Sequence, residues 1–413
     1  MSTGSRVHPV AEHQQAVRAL LANSLKRQVQ QRTLAEAAGR ILAEDVPAPR
    51  SLPPFANSQM DGYAVRSAEL AVPDGSTVEL QVAAPIPAGT AAPELHPGTA
   101  APIMTGAMLP AGADAVVPIE RAQPDSFFDP GDLNGARVLL PAGVRTGQFV
   151  RAAGSDIPAG TRALAQGTRL GPAQLGLLAA LGIAAVPVLA PVRVTLLSTG
   201  DEVVEPGVDL APGQIHDANT TLLTASLRDA GAEVVRSRIL ADSPEDFLAA
   251  LRSELYRDRT DLVVTSGGIS KGAYEVVRLA LEAEGVAFLS VAMQPGGPQG
   301  IGMVDGVPFL GFPGNPVSAL VSCEVFLRPA LSALTGLPRP RPAVTAVLDA
   351  AADSPEGKLQ VRRGRFRDGR VSLIGGPGSH LVHALAESNA LVLIPESTGH
   401  LEAGAEVTVW LLE

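Results

Sequence analysis

The sequence predicts a multidomain α/β protein with additional β domains, and three observations carry that expectation. From Pro191 to about Leu334, short apolar runs alternate with helical patterns, the signature of a mostly parallel, helix-covered sheet. Residues 46–150 are instead dense in Pro and Gly with short alternating runs, which reads as a small β-rich region with many turns. Beyond Leu337–Pro342, a stiff Leu-Pro-Arg-Pro-Arg-Pro linker, only short strands are expected, as in a small barrel or sandwich. The 413 residues are too many for one ordinary core, and 46% are hydrophobic, enough to fill several.

Each element has a local reason. Val10 to Leu25 places Val10, Val17, Leu20, Leu21 and Leu25 near helical spacing. A second short helix, Thr33 to Ala38, ends at Gly39. Val78 to Val82 and Ala115 to Ile119 alternate as strands. Pro172 to Leu181 is a short buried helix followed by extended chain. It lies in the uncharged stretch Leu170 to Val192, which Pro172, Pro187 and Pro191 keep from being a membrane-spanning helix. In the α/β region, strands are expected at Val192 to Leu197, Glu233 to Leu240, Asp261 to Thr265, Ala287 to Ala292 and Val307 to Gly311. Helices are expected at Thr220 to Ala230, Ser243 to Tyr256, Ala273 to Glu284 and Pro316 to Leu334. Ser243-Pro244-Glu245-Asp246 is a strong helix start: a capping hydroxyl, Pro at the first position, then acids in the first turn. C-terminal strands are expected at Ala343 to Leu348, Leu359 to Phe366, Val371 to Ile374, Ala390 to Ile394 and Glu406 to Leu411.

Composition excludes several function classes. A net charge of -10 argues against a protein that coats nucleic acid or an anionic membrane, but leaves room for a small anion held by backbone amides, a few basic side chains and a divalent metal. The lone cysteine, Cys323, excludes an internal disulfide and a multi-Cys zinc site and reads as helix packing. A reducing, cytoplasmic setting fits it, and the polar N-terminus has no apolar signal region.

In open α/β sheets ligands sit beyond the carboxyl ends of the strands. Three unusual loops are expected there: Ser198-Thr199-Gly200-Asp201-Glu202, Ser266-Gly267-Gly268-Ile269-Ser270 and Phe312-Pro313-Gly314-Asn315-Pro316. Glycines admit backbone N–H groups to an oxygen ligand, hydroxyls add donors, and carboxylates can hold a divalent cation. Asp61-Gly62 in the β-rich part reads simply as a turn.

Taken together these segments resemble the molybdopterin molybdotransferase family, which includes the catalytic part of gephyrin. The family's N-S-x-M-D-G-Y-A-V stands at Asn57–Val65, I-M-T-G-A at Ile103–Ala107 and R-x-x-G-x-D-I at Arg151–Ile157. S-T-G-D-E stands at Ser198–Glu202 and G-x-I-x-D-x-N at Gly213–Asn219. S-G-G-x-S and P-G-N-P-V-S begin at Ser266 and Pro313. The resemblance implies four regions: 10–26 with 190–335 as the α/β molybdopterin-binding domain, 27–50 with 151–189 as a mixed connecting domain, 51–150 as the β-rich domain and 336–413 as the C-terminal β domain.

It also implies a homodimer whose site is shared between the α/β domain of one subunit and the β-rich domain of the other. The reaction it implies uses adenylylated molybdopterin, molybdate and Mg²⁺, with release of AMP. The precursor adenylyltransferase and the recipient molybdoenzymes are the implied partners. Asp61, Asp156, Glu202 and Asp242 match acidic family positions, with Asp61 and Glu202 as the metal ligands. Thr105, Ser198, Thr199, Gly200, Gly267, Gly268, Ser270, Glu275, Arg278, Pro313, Gly314, Asn315, Pro316 and Ser318 are the implied substrate contacts. The sequence departs from the family at Ser290, Gln294 and Gly297, where lysines are usual. Lys271 and Arg278 are the nearest replacements. Those departures favour the alternative of a non-catalytic pterin-binding paralogue or scaffold, whereas the retained acids favour the enzyme. Ser379-His380 is a C-terminal segment that can reach the site.

Overall fold

The computed structural model describes residues 6–73, 75–240, 243–270 and 275–412. They divide into two compact units, Met1–Gln30 with Leu189–Glu413, and Gln31–Val188.

The first unit is built on a seven-stranded sheet. Its order is Val7–His8, Ala287–Val291, Pro298–Val304, Val307–Phe312, Leu262–Ser266, Arg193–Thr199, Glu233–Leu240. All pairings are parallel except those of Pro298–Val304, which runs antiparallel to both neighbours. The expected strands are therefore present, and the sheet is mostly parallel as the alternation requires. Its central strands are buried on both faces. Val194, Leu196, Leu262, Val264, Leu310 and Phe312 join one core, and Leu197, Val263 and Phe309 join the other. That is the period-two consequence of covering a sheet on two sides.

The strand Pro298–Val304 escaped the sequence reading because Pro298, Gly300 and Gly302 dilute its apolar signal. The clue was the turn that follows. Asp305 and Gly306 both have positive φ (47° and 81°), as a tight Asp-Gly hairpin needs.

The helix expected at Pro316–Leu334 runs to Thr335, but it is not uniform. An α segment, Pro316–Ser322, widens into a π turn at Cys323–Leu327 and resumes as Arg328–Thr335. Pro329 accounts for the interruption. It has no N–H for the carbonyl four residues earlier, and its ring crowds that carbonyl. The carbonyl is Val325, and Gln14 of the N-terminal helix Val10–Ser24 donates to it instead, at 3.1 Å. Pro316–Thr335 is long and apolar enough to cross a membrane. However, 72% of its most apolar window is buried in the protein, as in the core helix of an α/β domain. Cys323 is buried there, and desolvation pushes its thiol pKa well up, so it packs rather than reacts.

The Ser243 start is as the sequence predicts: its hydroxyl accepts from Asp246 N at 3.3 Å and Pro244 opens the helix Pro244–Asp258. Such a cap contributes about 1 kcal/mol. The helix expected from Ala273 is Val276–Glu282, with Glu275 at its N-cap, and residues 271–274 lie outside the described set.

The C-terminal strands form a closed barrel. Leu359–Arg367, Arg370–Leu373, Ala343–Leu348, Glu406–Leu411 and Ala390–Ile394 pair in that order, and the last returns to the first. Met293–Gln294 adds to it in parallel, Met293 opposite Leu359 and Gln294 opposite Gln360. Arg341 in the Pro-rich linker is tied to the buried Glu324 carboxylate (2.9 and 3.0 Å) and to Asp229 (2.9 Å).

The second unit holds a five-stranded sheet, ordered Ala115–Pro118, Gly62–Val65, Thr99–Ile103, Thr77–Val82, Arg137–Pro141. Gly62 is not a turn residue but the first residue of a central strand. A Cβ there would lie 2.0 Å from the Val117 carbonyl oxygen, so close strand approach demands glycine. A separate small core joins residues 34–46 with the helix Pro172–Ala180 and the strand Ala185–Leu189. The first of these stretches starts with the helix Leu34–Ala37, whose Thr33 and Glu36 cap each other reciprocally.

Candidate functional site

The site is set by register. Ser198 lies opposite Ser266, and Ser266 opposite Phe312, on three adjacent parallel strands. The three loops anticipated from sequence therefore leave the sheet side by side at its carboxyl edge. They open into a cleft of about 1210 Å³ within the first unit. Ser198, Thr199, Gly200 and Glu202 line it from the first loop, Gly267, Gly268 and Ser270 from the second, and Pro313, Gly314, Asn315, Pro316 and Ser318 from the third. Glu275 lines it as well. Its carboxylate accepts from Ser270 N at 3.0 Å and fixes the end of the second loop.

The glycines are structural requirements. Gly268 has φ +65°, and a Cβ on it would sit 2.7 Å from Val277 Cγ2 and 2.9 Å from Thr199 Oγ1. A Cβ on Gly200 would meet the Glu202 carboxylate at 2.7 Å, so Glu202 folds back over its own loop.

Two residues of the Gly213–Asn219 motif, to which the sequence alone assigns no role, tie the loops together. Asn219 donates from Nδ2 to Ser266 Oγ (2.8 Å) and to the Gly314 carbonyl (2.6 Å), bridging the second and third loops. Asp217, buried at 5% exposure, accepts from Thr220 N (3.0 Å) and Thr220 Oγ1 (2.5 Å). The Thr220 hydroxyl lies 3.0 Å from Ser198 Oγ. Their spacing in Gly213–Asn219, just after the Glu202 loop, is the signal that could have found them.

The opposite wall is Ser290 and the Gln294–Pro298 segment. It is anchored by Gln299, which donates to Gly296 O (2.7 Å) and Ser322 Oγ (2.8 Å). The C-terminal region closes a further side with Lys358, Ser379 and His380, so the Ser379-His380 segment does reach the cleft. Val317 N donates to Ser379 O at 3.1 Å and seats it there.

Other anticipated residues lie elsewhere. Arg278 does not line the cleft: its guanidinium sits 5.9 Å over the Phe288 ring and pairs with Glu282 at 3.4 Å. Asp242 and Lys271 fall outside the described residues. Asp61, Thr105 and Asp156 belong to the second unit. There Asp61 Oδ1 accepts from both Thr105 N (2.6 Å) and Thr105 Oγ1 (2.7 Å). The Thr105 hydroxyl and then its amide hold the Asp61 carboxyl below its ordinary pKa, so it is ionised at neutral pH. Both bonds fall on Oδ1, and Oδ2 has no protein donor among the described residues. Asp156 is exposed on the loop whose N–H groups at 156 and 157 bond Leu52 O. Among the described residues no three His, Cys, Asp or Glu side chains group as a ready metal site.

Fold and cleft define a multidomain α/β protein with its ligand site at the carboxyl ends of a mostly parallel sheet. Comparison with known proteins then narrows the class. Residues 8–182 match the MoeA N-terminal region (domain I and II), 195–333 the probable molybdopterin binding domain, and 345–412 the MoeA C-terminal region (domain IV). Molybdopterin molybdenumtransferase 2 of Mycobacterium tuberculosis is 46% identical over 91% of this chain and 93% of its own length. The molybdopterin molybdenumtransferase of Haemophilus influenzae is 36% identical over 91% and 92%. A solved molybdopterin biosynthesis MoeA protein from Pyrococcus horikoshii superposes with a TM-score of 0.83 at 31% identity, covering 99% of this chain and 100% of that one. The chain belongs to the molybdopterin molybdenumtransferase (MoeA) family.

Proposed function

We propose that this chain is a molybdopterin molybdotransferase, a transferase of molybdenum cofactor biosynthesis that inserts molybdate into adenylylated molybdopterin with Mg²⁺-dependent release of AMP. The observation that carries the reading is the register of Ser198, Ser266 and Phe312, which sets three donor-rich loops around one cleft. Ser198, Thr199, Gly267, Gly268, Ser270, Gly314, Asn315 and Ser318 offer hydroxyl and amide donors to phosphate and pterin oxygens. Cleavage of the phosphoanhydride releases AMP and leaves molybdenum on the dithiolene.

Asp61 and Glu202 fit Mg²⁺. Both are exposed carboxylates, the hard oxygen donors that ion prefers, and among the described residues Asp61 Oδ2 has no protein donor. When bound, Mg²⁺ offsets the charge of the phosphates. Asp156 and Asp242 complete the acidic set by family resemblance. Resemblance also supports the four-region division, a cytoplasmic setting, the adenylyltransferase and molybdoenzymes as partners, and a homodimer in which the β-rich region of one subunit brings Asp61 and Thr105 to the cleft of the other.

A single-turnover measurement of AMP release from adenylylated molybdopterin with Mg²⁺, with and without molybdate, tests this. Molybdate-dependent release is the expected result. Tight pterin binding without release would replace the enzyme by a binding paralogue, with Ser290, Gln294 and Gly297 as the cause.

A further inference from the structure

We infer that Lys358 is the cation that holds a tetrahedral oxyanion in the cleft. This rests on the transferase reading above and adds the residue that makes an acidic cleft hospitable to an anion. The cleft presents three carboxylates, Glu202, Asp217 and Glu275. Hydrogen-bond donors alone leave that charge uncompensated. Among the described residues only one lysine or arginine lines the cleft, and it is Lys358.

Its placement is fixed although its side chain is exposed. The next residue, Leu359, donates from its backbone N to Ala292 O at 2.9 Å and pairs with Met293. One position further, Gln360 donates to Gln294 Oε1 at 2.8 Å. Lys358 is therefore fastened to the Gln294–Pro298 wall, which carries no basic residue of its own. Its ammonium has no hydrogen-bond or ion-pair partner among the described residues, so its three donors remain for a ligand. A compact point charge on a flexible stem suits a tetrahedral oxyanion without demanding the planar geometry an arginine imposes. The barrel thus contributes chemistry to the cleft as well as a wall.

Two oxyanions share this chemistry, molybdate and the phosphate of the pterin substrate, and the test separates them. Molybdate and AMP are titrated calorimetrically into the full-length wild type, Lys358→Met and Lys358→Arg, with circular dichroism to verify the fold. Lys358→Met should weaken one of the two by about ten- to a hundred-fold, the size of a lost charged hydrogen bond, and Lys358→Arg should recover most of it. A loss confined to molybdate assigns the lysine to molybdate. A loss confined to AMP assigns it to the phosphate. Wild-type affinity for both in Lys358→Met overturns the inference while leaving the transferase reading intact. A wild type that binds neither ligand and releases no AMP overturns both.

Discussion

The cleft of the first unit and the Asp61 corner of the second hold their polar groups in different ways. In the cleft the functional atoms sit on loops locked by register, by glycine contacts and by Asn219, and Asn219 alone bridges two of the three loops. At Asp61 one exposed carboxylate depends on a single neighbour, Thr105, for both of its bonds. The first arrangement provides shape, and damage to it should spread through several contacts. The second provides a charge, and damage to it should be local and chemical.

The largest expected effect breaks both sides of that contrast at their carboxylates. Asp61→Ala and Glu202→Ala should each fold normally and lose AMP release by about a hundredfold or more, as removal of a group acting at the reacting centre does. Full turnover in both purified variants would remove the site assignment. Next comes Gly268→Ala, which places a Cβ in the left-handed region and 2.7 Å from Val277. We expect a loss of about 1–3 kcal/mol in denaturant unfolding together with weaker ligand binding. A variant as stable as the parent would show that the loop yields easily.

The smallest effect is at Thr105→Val. Without the hydroxyl, the Asp61 carboxyl should titrate closer to its ordinary value, followed by carbon-detected NMR. The sign follows from the lowered pKa. The stabilisation is complete above the unfolded carboxyl pKa and is lost as pH falls through the folded value, so the variant should match the parent in strong acid and fall slightly below it at neutral pH. An unchanged Asp61 titration would mean that the backbone N–H of Thr105 suffices.

The same contrast explains what was legible in the sequence. The α/β strands, the Ser243 cap and the three strand-end loops rest on periodicity and local turn chemistry, so the chain states them directly. Gly62 was misread because its requirement comes from Val117, 55 residues away in sequence. Pro298–Val304 was missed because its glycines, required where Phe288, Gly311 and Val286 approach closely, dilute its apolar signal. Asn219 and Lys358 were not assigned because their roles depend on what they meet across the fold. The missing lysines at Ser290, Gln294 and Gly297 were visible, but that Lys358 stands beside that wall follows only from the parallel pairing of Met293 with Leu359.

The π turn at Cys323–Leu327, just before Pro329, has a consequence for how the chain is put together in time. The carbonyl that Pro329 leaves open is filled by Gln14, and Val10, Val17 and Leu21 pack into the core of that same helix region. The N-terminal helix therefore leaves the ribosome early and lacks its partners until more than 300 residues have followed. The unit between them, Gln31–Val188, is complete long before. A nascent chain of this protein carries its first helix as unfinished business, and only synthesis through the last α/β helix gives it a place to settle.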